Sequence, residues 1–241
     1  MVLAAGEGRR LRPLTERTPK ALVEAGGKTM LERVLLRLKA VGVREVVVNL
    51  WHLGAQVEDY LRAHDGFGLR VAFSREERLL DTGGGLKNAG SFFDDGKPFF
   101  LHNVDICTDS DLGAMLRAHE ASGALSTLAV RSRPSSRYLL FDRDGRLRGR
   151  DAPAEGGIQW AGAPAEGVER LAFDGVHVIS PRLFARMSEE GVFSINQTYL
   201  RLAGEGEVLR AFRSDGSFWA GIDTPERLER LRKHLSETGG A

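Results

Sequence analysis

A chain of 241 residues, 42% of them hydrophobic and 28% charged, has the composition of a folded globular protein and length enough for a large α/β domain. Its 34 basic residues balance 33 acidic ones, which argues against a nucleic-acid partner, and its single cysteine, Cys107, rules out an intramolecular disulfide. The longest apolar runs are strand-sized, far short of the ~20 residues of a membrane span, and no leader pattern opens the sequence, so a soluble cytoplasmic protein without a membrane partner is expected.

Met1 to Ala5 reads as a buried strand running into a glycine-rich turn. Thr29-Met30-Leu31-Glu32 is a capping box that opens a helix. In it Leu31, Val34, Leu35, Leu38 and Val41 recur at the helical period, and Gly42 is placed to stop it. A strand over 45–50, a helix over 54–64 and a strand over 69–74 follow. Next come the run Gly83-Gly84-Gly85, a helix, and an apolar strand over 98–104. A helix over 111–121 and a strand over 124–131 complete a β-α-β-α rhythm, which predicts a mainly parallel sheet with helices on both faces.

After residue 132 the pattern changes. Residues 138–142 and 146–149 read as a β-hairpin about Asp144-Gly145, and 151–168, rich in Gly, Ala, Pro and Glu, as a loop. A strand over 171–179, helices over 181–187 and 195–203, and a strand over 208–213 come next. Thr224-Pro225-Glu226 opens a final helix that runs to about His234.

The first strand leads into Gly6-Glu7-Gly8-Arg9-Arg10-Leu11-Arg12-Pro13-Leu14-Thr15, with Pro19-Lys20 beyond. Two close glycines let backbone N–H groups approach a polyphosphate, and Arg10 and Lys20 supply charge to neutralise it. A Walker A loop is excluded because Gly-Lys-Ser/Thr is missing, and a dinucleotide fingerprint because Leu11 stands where its third glycine belongs.

The pattern Leu3-Ala4-Ala5-Gly6-x-Gly8-x-Arg10-Leu11-x-Pro13-Leu14-Thr15…Pro19-Lys20 resembles the signature of the sugar-1-phosphate nucleotidylyltransferases. The resemblance implies that Leu3, Ala4, Ala5, Gly6 and Gly8 bind the NTP, while Arg10 and Lys20 stabilise the charge that builds up on transfer. It extends over nearly the whole chain. Val48-Asn49-Leu50-Trp51-His52-Leu53, with Gln56-Val57, is similar to a family segment after the second strand. Leu80-Asp81-Thr82-Gly83-Gly84-Gly85 resembles the loop that reads the nucleobase in the family, here through Asp81, Thr82, Gly83 and Gly84, although three glycines also suit a flexible turn. The overall pattern is most similar to the N-acetylmuramate-1-phosphate uridylyltransferases and the mannose-1-phosphate guanylyltransferase-like proteins.

The fold so implied is a Rossmann-like three-layer α/β sandwich with a mainly parallel sheet, of the nucleotide-diphospho-sugar transferase type. One domain is expected over 1–241, residues 1–131 forming the NTP-binding half and 132–241 the sugar-phosphate-binding half and closing helix.

Asp105 follows the apolar strand, where an α/β protein opens its ligand crevice, and a carboxylate there suits Mg²⁺. By the resemblance, Asp105 takes the metal-ligand place of the family's Asn-Gly-Asp, with Val104 in the middle. Asp109 and Asp111, just before a helix, read as caps. Relatives carry a second ligand in Trp-x-Asp-x-Gly-Thr-Pro, which here reads Trp219-Ala220-Gly221-Ile222-Asp223-Thr224-Pro225. Residues two apart on an extended chain share a face, so Asp223 either replaces the carboxylate missing at Gly221 or caps the final helix.

Asn103, Lys87 and Gly175 are the candidates on the sugar-phosphate side, Gly175 within Asp174-Gly175-Val176-His177-Val178, which resembles the strand lining the family's sugar pocket. The segment Phe193 to Leu200 also resembles the family, with Asn196-Gln197 where Ile-Asp is usual. Phe141, Trp160 and Trp219 read as packing or stacking surfaces, and His102 as a core residue. The expected partners are an NTP, a sugar-1-phosphate and Mg²⁺, with no nucleic acid, in a monomer or homo-oligomer. Two other readings stay open: a cytidylyltransferase acting on phosphocholine or a similar alcohol phosphate, and a nucleotide-binding regulatory protein of weak activity.

Overall fold

In the computed structural model, which describes residues 1–239, the chain begins with β1 (Val2–Leu3), β2 (Glu24–Ala25), β3 (Lys28–Thr29), α1 (Met30–Ala40), β4 (Glu45–Leu50), α2 (Gly54–Ala63) and β5 (Arg70–Arg75). It continues through α3 (Asp81–Asn88), β6 (Phe99–Asn103), β7 (Ile106–Thr108), α4 (Leu112–Ser122), β8 (Ser126–Arg131), β9 (Tyr138–Phe141), β10 (Leu147–Ala152) and β11 (Gly157–Trp160). The last elements are β12 (Glu169–Ile179), α5 (Ile195–Gly204), β13 (Leu209–Arg213), β14 (Trp219–Gly221) and α6 (Pro225–Glu237). They gather into two compact units: residues 1–79, 102–109 and 218–239 form the first, residues 80–101 and 110–217 the second.

In the first unit β1 lies between β4 and the end of β6, and β5 continues the row beyond β4, all of them parallel. Val46 to Leu50 are buried without a break, the mark of a strand covered on both faces. These strands give the Rossmann-like α/β class its parallel central sheet. Thr29 caps α1 as its sequence requires, accepting the Glu32 N–H at 3.1 Å, but Glu32 turns its carboxylate to the Tyr60 hydroxyl, so only half the capping box closes. Gly42, at φ +91°, ends the helix.

The apolar stripe of α6 (Leu228, Leu231 and Leu235) packs into one cluster with Leu11, Val23, Ala25, Met30 and Ile222. Each leucine so buried stabilises the unit by about 2 kcal/mol. Two short antiparallel pairs, β2–β3 and β7–β14, are invisible in the sequence, because runs of two and three residues carry no measurable period.

The second unit is built on β8, whose six residues are all buried; it runs antiparallel to β12 and parallel to β13. The expected hairpin forms as β9–β10. The expected loop over 151–168 instead holds the end of β10 and all of β11, which pair from Ala152↔Gly157 to Gly149↔Trp160. Gly156 and Gly157, at φ +100° and +86°, supply the tight return, so a loop-like composition conceals a ladder. The helix expected over 181–187 is a 3₁₀ turn over 181–186.

The triple glycine also differs from expectation. It forms the first turns of α3, not a loop before it. A Cβ on Gly83 would stand 2.4 Å from the Phe193 ring, and one on Gly84 2.4 Å from the Gly191 carbonyl oxygen. Close packing against the segment leading into α5 therefore requires both glycines.

Candidate active site

The glycine-rich loop starts where β1 stops. Leu3 is paired with Asn49 and Asn103 on either side, and the next N–H, from Ala4, goes to the Asn49 side-chain oxygen at 2.6 Å. Ala5 is buried, whereas Gly6 is exposed and a Cβ placed on it would meet nothing within 4 Å. Gly8 turns the chain at φ +64°, and its carbonyl accepts the Leu11 N–H and the Thr15 hydroxyl, both at 2.8 Å. A Cβ on Gly8 would lie 2.9 Å from the Thr15 methyl, so conformation and space both demand glycine. Leu11, 2% exposed, anchors the loop in the α6 cluster. From the side, Gln56 donates to the Arg17 carbonyl at 3.1 Å and His52 Nε2 lies 3.4 Å from the Thr15 carbonyl, so the segment after β4 braces the loop.

The loop's two candidate cations each meet a candidate metal carboxylate. The Lys20 ammonium is on the Asp105 carboxylate, and Arg10 pairs with Asp223 at 2.9 Å. The two aspartates stand beside one another because β7 and β14 pair: Gly221 opposes Ile106, and the Ile222 N–H bonds the Asp105 carbonyl at 3.0 Å. Lys20 and Asp105 are partly shielded, with side chains 12% and 25% exposed, whereas Arg10 is 71% exposed and its pair is correspondingly weak. Asp223 also pairs with Arg227 at 2.7 Å. The cap of α6 is Thr224, whose hydroxyl accepts the Arg227 N–H. Gly221 faces the Trp219 ring, 3.4 Å from where its Cβ would be.

Among the described residues no group of three or more His, Cys, Asp and Glu gathers to hold a metal. Two hard carboxylates completed by phosphate oxygens are nonetheless the donor set Mg²⁺ prefers, so Asp105 and Asp223 fit that ion. Asp111 caps α4 by accepting the Ala114 N–H, but Asp109 does not cap it; it accepts the Phe218 N–H at 2.6 Å and tethers β14. His102 is buried, its Nδ1 on the Asn103 carbonyl, and burial pushes its pKa down to about 4. The Asn103 backbone pairs with Leu3 in the sheet.

The remaining candidates lie in the second unit. Asp81, at φ +61°, accepts the Thr82 N–H, and the Thr82 hydroxyl accepts the Ile195 N–H at 3.0 Å. Gly83 and Gly84 both donate their N–H groups to the Phe193 carbonyl, at 2.9 and 3.2 Å. Lys87 is tied to the Glu189 carbonyl and the Glu190 carboxylate, at 2.7 and 2.6 Å. Gly175, at φ +81°, sits in an irregular stretch of β12, beside Asp174, which is held by Arg131 and Ser214. His177 bonds the Tyr199 hydroxyl at 3.0 Å within the core, and Phe141 is likewise core. Trp160 is half-buried on β11.

Against known proteins, residues 1–149 match the nucleotidyl transferase family. The N-acetylmuramate α-1-phosphate uridylyltransferase of Caulobacter vibrioides is 33% identical over 98% of this chain and 96% of its own length. The chain belongs to the sugar-1-phosphate nucleotidylyltransferases. The mannose-1-phosphate guanylyltransferase catalytic subunit beta of Drosophila pseudoobscura pseudoobscura is 29% identical over 94% of this nucleotidylyltransferase and 59% of its own length. The UDP-glucose pyrophosphorylase of Acinetobacter baumanii shares the fold with a TM-score of 0.79 at 15% identity, over 97% of this chain and 91% of its own. Among the described residues of this transferase no helix is long and apolar enough to cross a membrane.

Proposed function

We propose that this nucleotidylyltransferase joins an NTP and a sugar-1-phosphate into an NDP-sugar and pyrophosphate, in an Mg²⁺-dependent in-line displacement. The observation that carries the proposal is the pair of ion pairs, Lys20–Asp105 and Arg10–Asp223, one cation coming from within the glycine-rich loop and the other from just beyond it. A phosphate oxygen of the sugar-1-phosphate, already ionised, attacks the α-phosphorus; the bond to the β-phosphate oxygen breaks and pyrophosphate leaves with the electron pair. No general base is needed, so the work of the chain is positioning and charge neutralisation. The loop backbone at Ala5 to Gly8 holds the triphosphate, and Lys20 and Arg10 turn from their carboxylates to its oxygens. Asp105 and Asp223 would hold Mg²⁺, which supplies Lewis-acid neutralisation of phosphate charge. The relative from Caulobacter vibrioides favours UTP and N-acetylmuramate α-1-phosphate as the pair to test first.

The experiment is a matrix of four NTPs against several sugar-1-phosphates and phosphocholine, read by pyrophosphate release with and without Mg²⁺. Release confined to one NTP with one sugar-1-phosphate, and only with Mg²⁺, is expected. Release with phosphocholine alone, or nucleotide binding with no release for any acceptor, overturns the proposal.

A further inference from the structure

The apolar run at the start of the chain continues to Ala5, yet β1 ends at Leu3. The reason lies in one buried side chain. Leu3 is still in register with Asn49 of β4, but the Ala4 N–H bonds the Asn49 side-chain oxygen, and from there the backbone departs from the sheet to form the phosphate loop. The other end of the same amide, Nδ2, donates to Glu76 Oε1 at 2.7 Å. Glu76 itself is fixed just beyond β5 by its N–H on the Leu50 carbonyl at 2.9 Å. Ala4, Asn49 and Glu76 are 4%, 3% and 7% exposed, so the relay is dry.

An asparagine amide can present either end to a neighbour. A carboxylate only accepts, so Glu76 selects the orientation in which Asn49 turns its oxygen to Ala4. The flipped amide would set NH₂ against N–H and oxygen against carboxylate, two buried mismatches at once.

We infer that Asn49 and Glu76 are positioning residues of the phosphate loop: Glu76 fixes the Asn49 amide, and Asn49 sets the course of the Ala4–Gly8 backbone that meets the NTP. The inference deepens the proposed function and rests on it for what the loop binds. Neither side chain touches substrate. Their loss therefore weakens use of the NTP and leaves use of the sugar phosphate unchanged.

Three variants test the relay: Asn49→Asp, Glu76→Gln and the two combined. Asn49→Asp sets two carboxylates face to face, and Glu76→Gln leaves the Ala4 N–H as the one member of the relay that still selects the Asn49 orientation. In the double variant the new glutamine amide donates to the new aspartate, whose second oxygen still accepts the Ala4 N–H, so the relay is complete with its middle bond reversed. Asn49→Asp is expected to raise the KM for NTP ~10-fold or more, with kcat and the KM for sugar-1-phosphate held within about 2-fold. Hydrogen exchange of the Ala4 amide is expected to quicken ~10-fold or more in the same variant. The double variant is expected to bring both readouts back to within about 3-fold of the parent.

A double variant no better than Asn49→Asp overturns the inference, as do equal rises in both KM values or an Ala4 exchange rate indifferent to all three changes. Thermal melts run alongside; if Asn49→Asp does not fold, Glu76→Gln, which keeps the volume, carries the test against the double variant. Should the parent release no pyrophosphate with any substrate pair, the functional reading fails, while Ala4 exchange and its recovery still decide the relay.

Discussion

Lys20 and Asp105 are 85 positions apart in sequence, and their side chains meet as an ammonium on a carboxylate. A partly exposed pair of this kind contributes only about 1 kcal/mol to folding. The same ammonium, turned onto phosphate oxygens as proposed above, would contribute far more to a transition state. Lys20→Ala is therefore expected to lower pyrophosphate release by about 10²–10³-fold while the thermal midpoint shifts by no more than a few degrees. Turnover that survives the change would remove Lys20 from the site. Asp223 calls for a finer measurement, because Arg10 and Arg227 already share it. If it holds Mg²⁺ together with Asp105, Asp223→Asn raises the Mg²⁺ concentration for half-maximal turnover at least ~10-fold. A magnesium titration that superimposes on the parent's makes Asp223 a partner of the two arginines and nothing more.

Between elements, the contact of α3 with the segment before α5 turns on two hydrogen atoms. The Gly83 and Gly84 amides converge on the Phe193 carbonyl, and a Cβ on either glycine falls 2.4 Å from an atom across the contact. At Gly83 the obstacles are a ring that can tilt and the Ile195 backbone nitrogen, 2.9 Å away; at Gly84 the obstacle is a backbone carbonyl that cannot give. Gly83→Ala is expected to cost about 1–3 kcal/mol in urea unfolding, and Gly84→Ala at least as much. Two variants as stable as the parent would show that the helix pair can slide apart.

The sequence pointed to these glycines through their family pattern, and their conformation was out of its reach, since nothing local distinguishes a glycine that turns a loop from one that admits a neighbouring ring. Periodic elements were legible: α1 has its cap, stripe and glycine stop where composition placed them. The β7–β14 ribbon was not, because three-residue strands show no alternation, and with it was lost the role of Asp109. Asn49 was visible only as part of a motif; its tie to Ala4 links β4 to the residue just past β1, 45 positions away in sequence.

At the scale of the whole molecule, the signature from Leu3 to Lys20 is enough to convey the family, because it concentrates its residues in one continuous segment. The core carries a property no motif announces. Both units bury histidines, among them His102 in the first and His119 in the second, the latter between the Thr127 and Ser180 hydroxyls, each 3.0 Å from a ring nitrogen. Burial pushes both pKa values down from 6.5 to about 4. The unfolded chain takes up protons near pH 6.5 while the folded one stays neutral, so stability is whole above that pH and drains away as the pH falls, levelling below about 4. Over that interval each histidine withdraws about 3 kcal/mol. Urea unfolding at pH 7 and pH 4.5 is expected to show a loss of several kcal/mol. In His119→Leu the drop between the two pH values should shrink by about half, although the variant starts from lower stability for want of its two hydroxyl partners. An acid loss of the same size in parent and variant would place the titrating groups elsewhere in the chain.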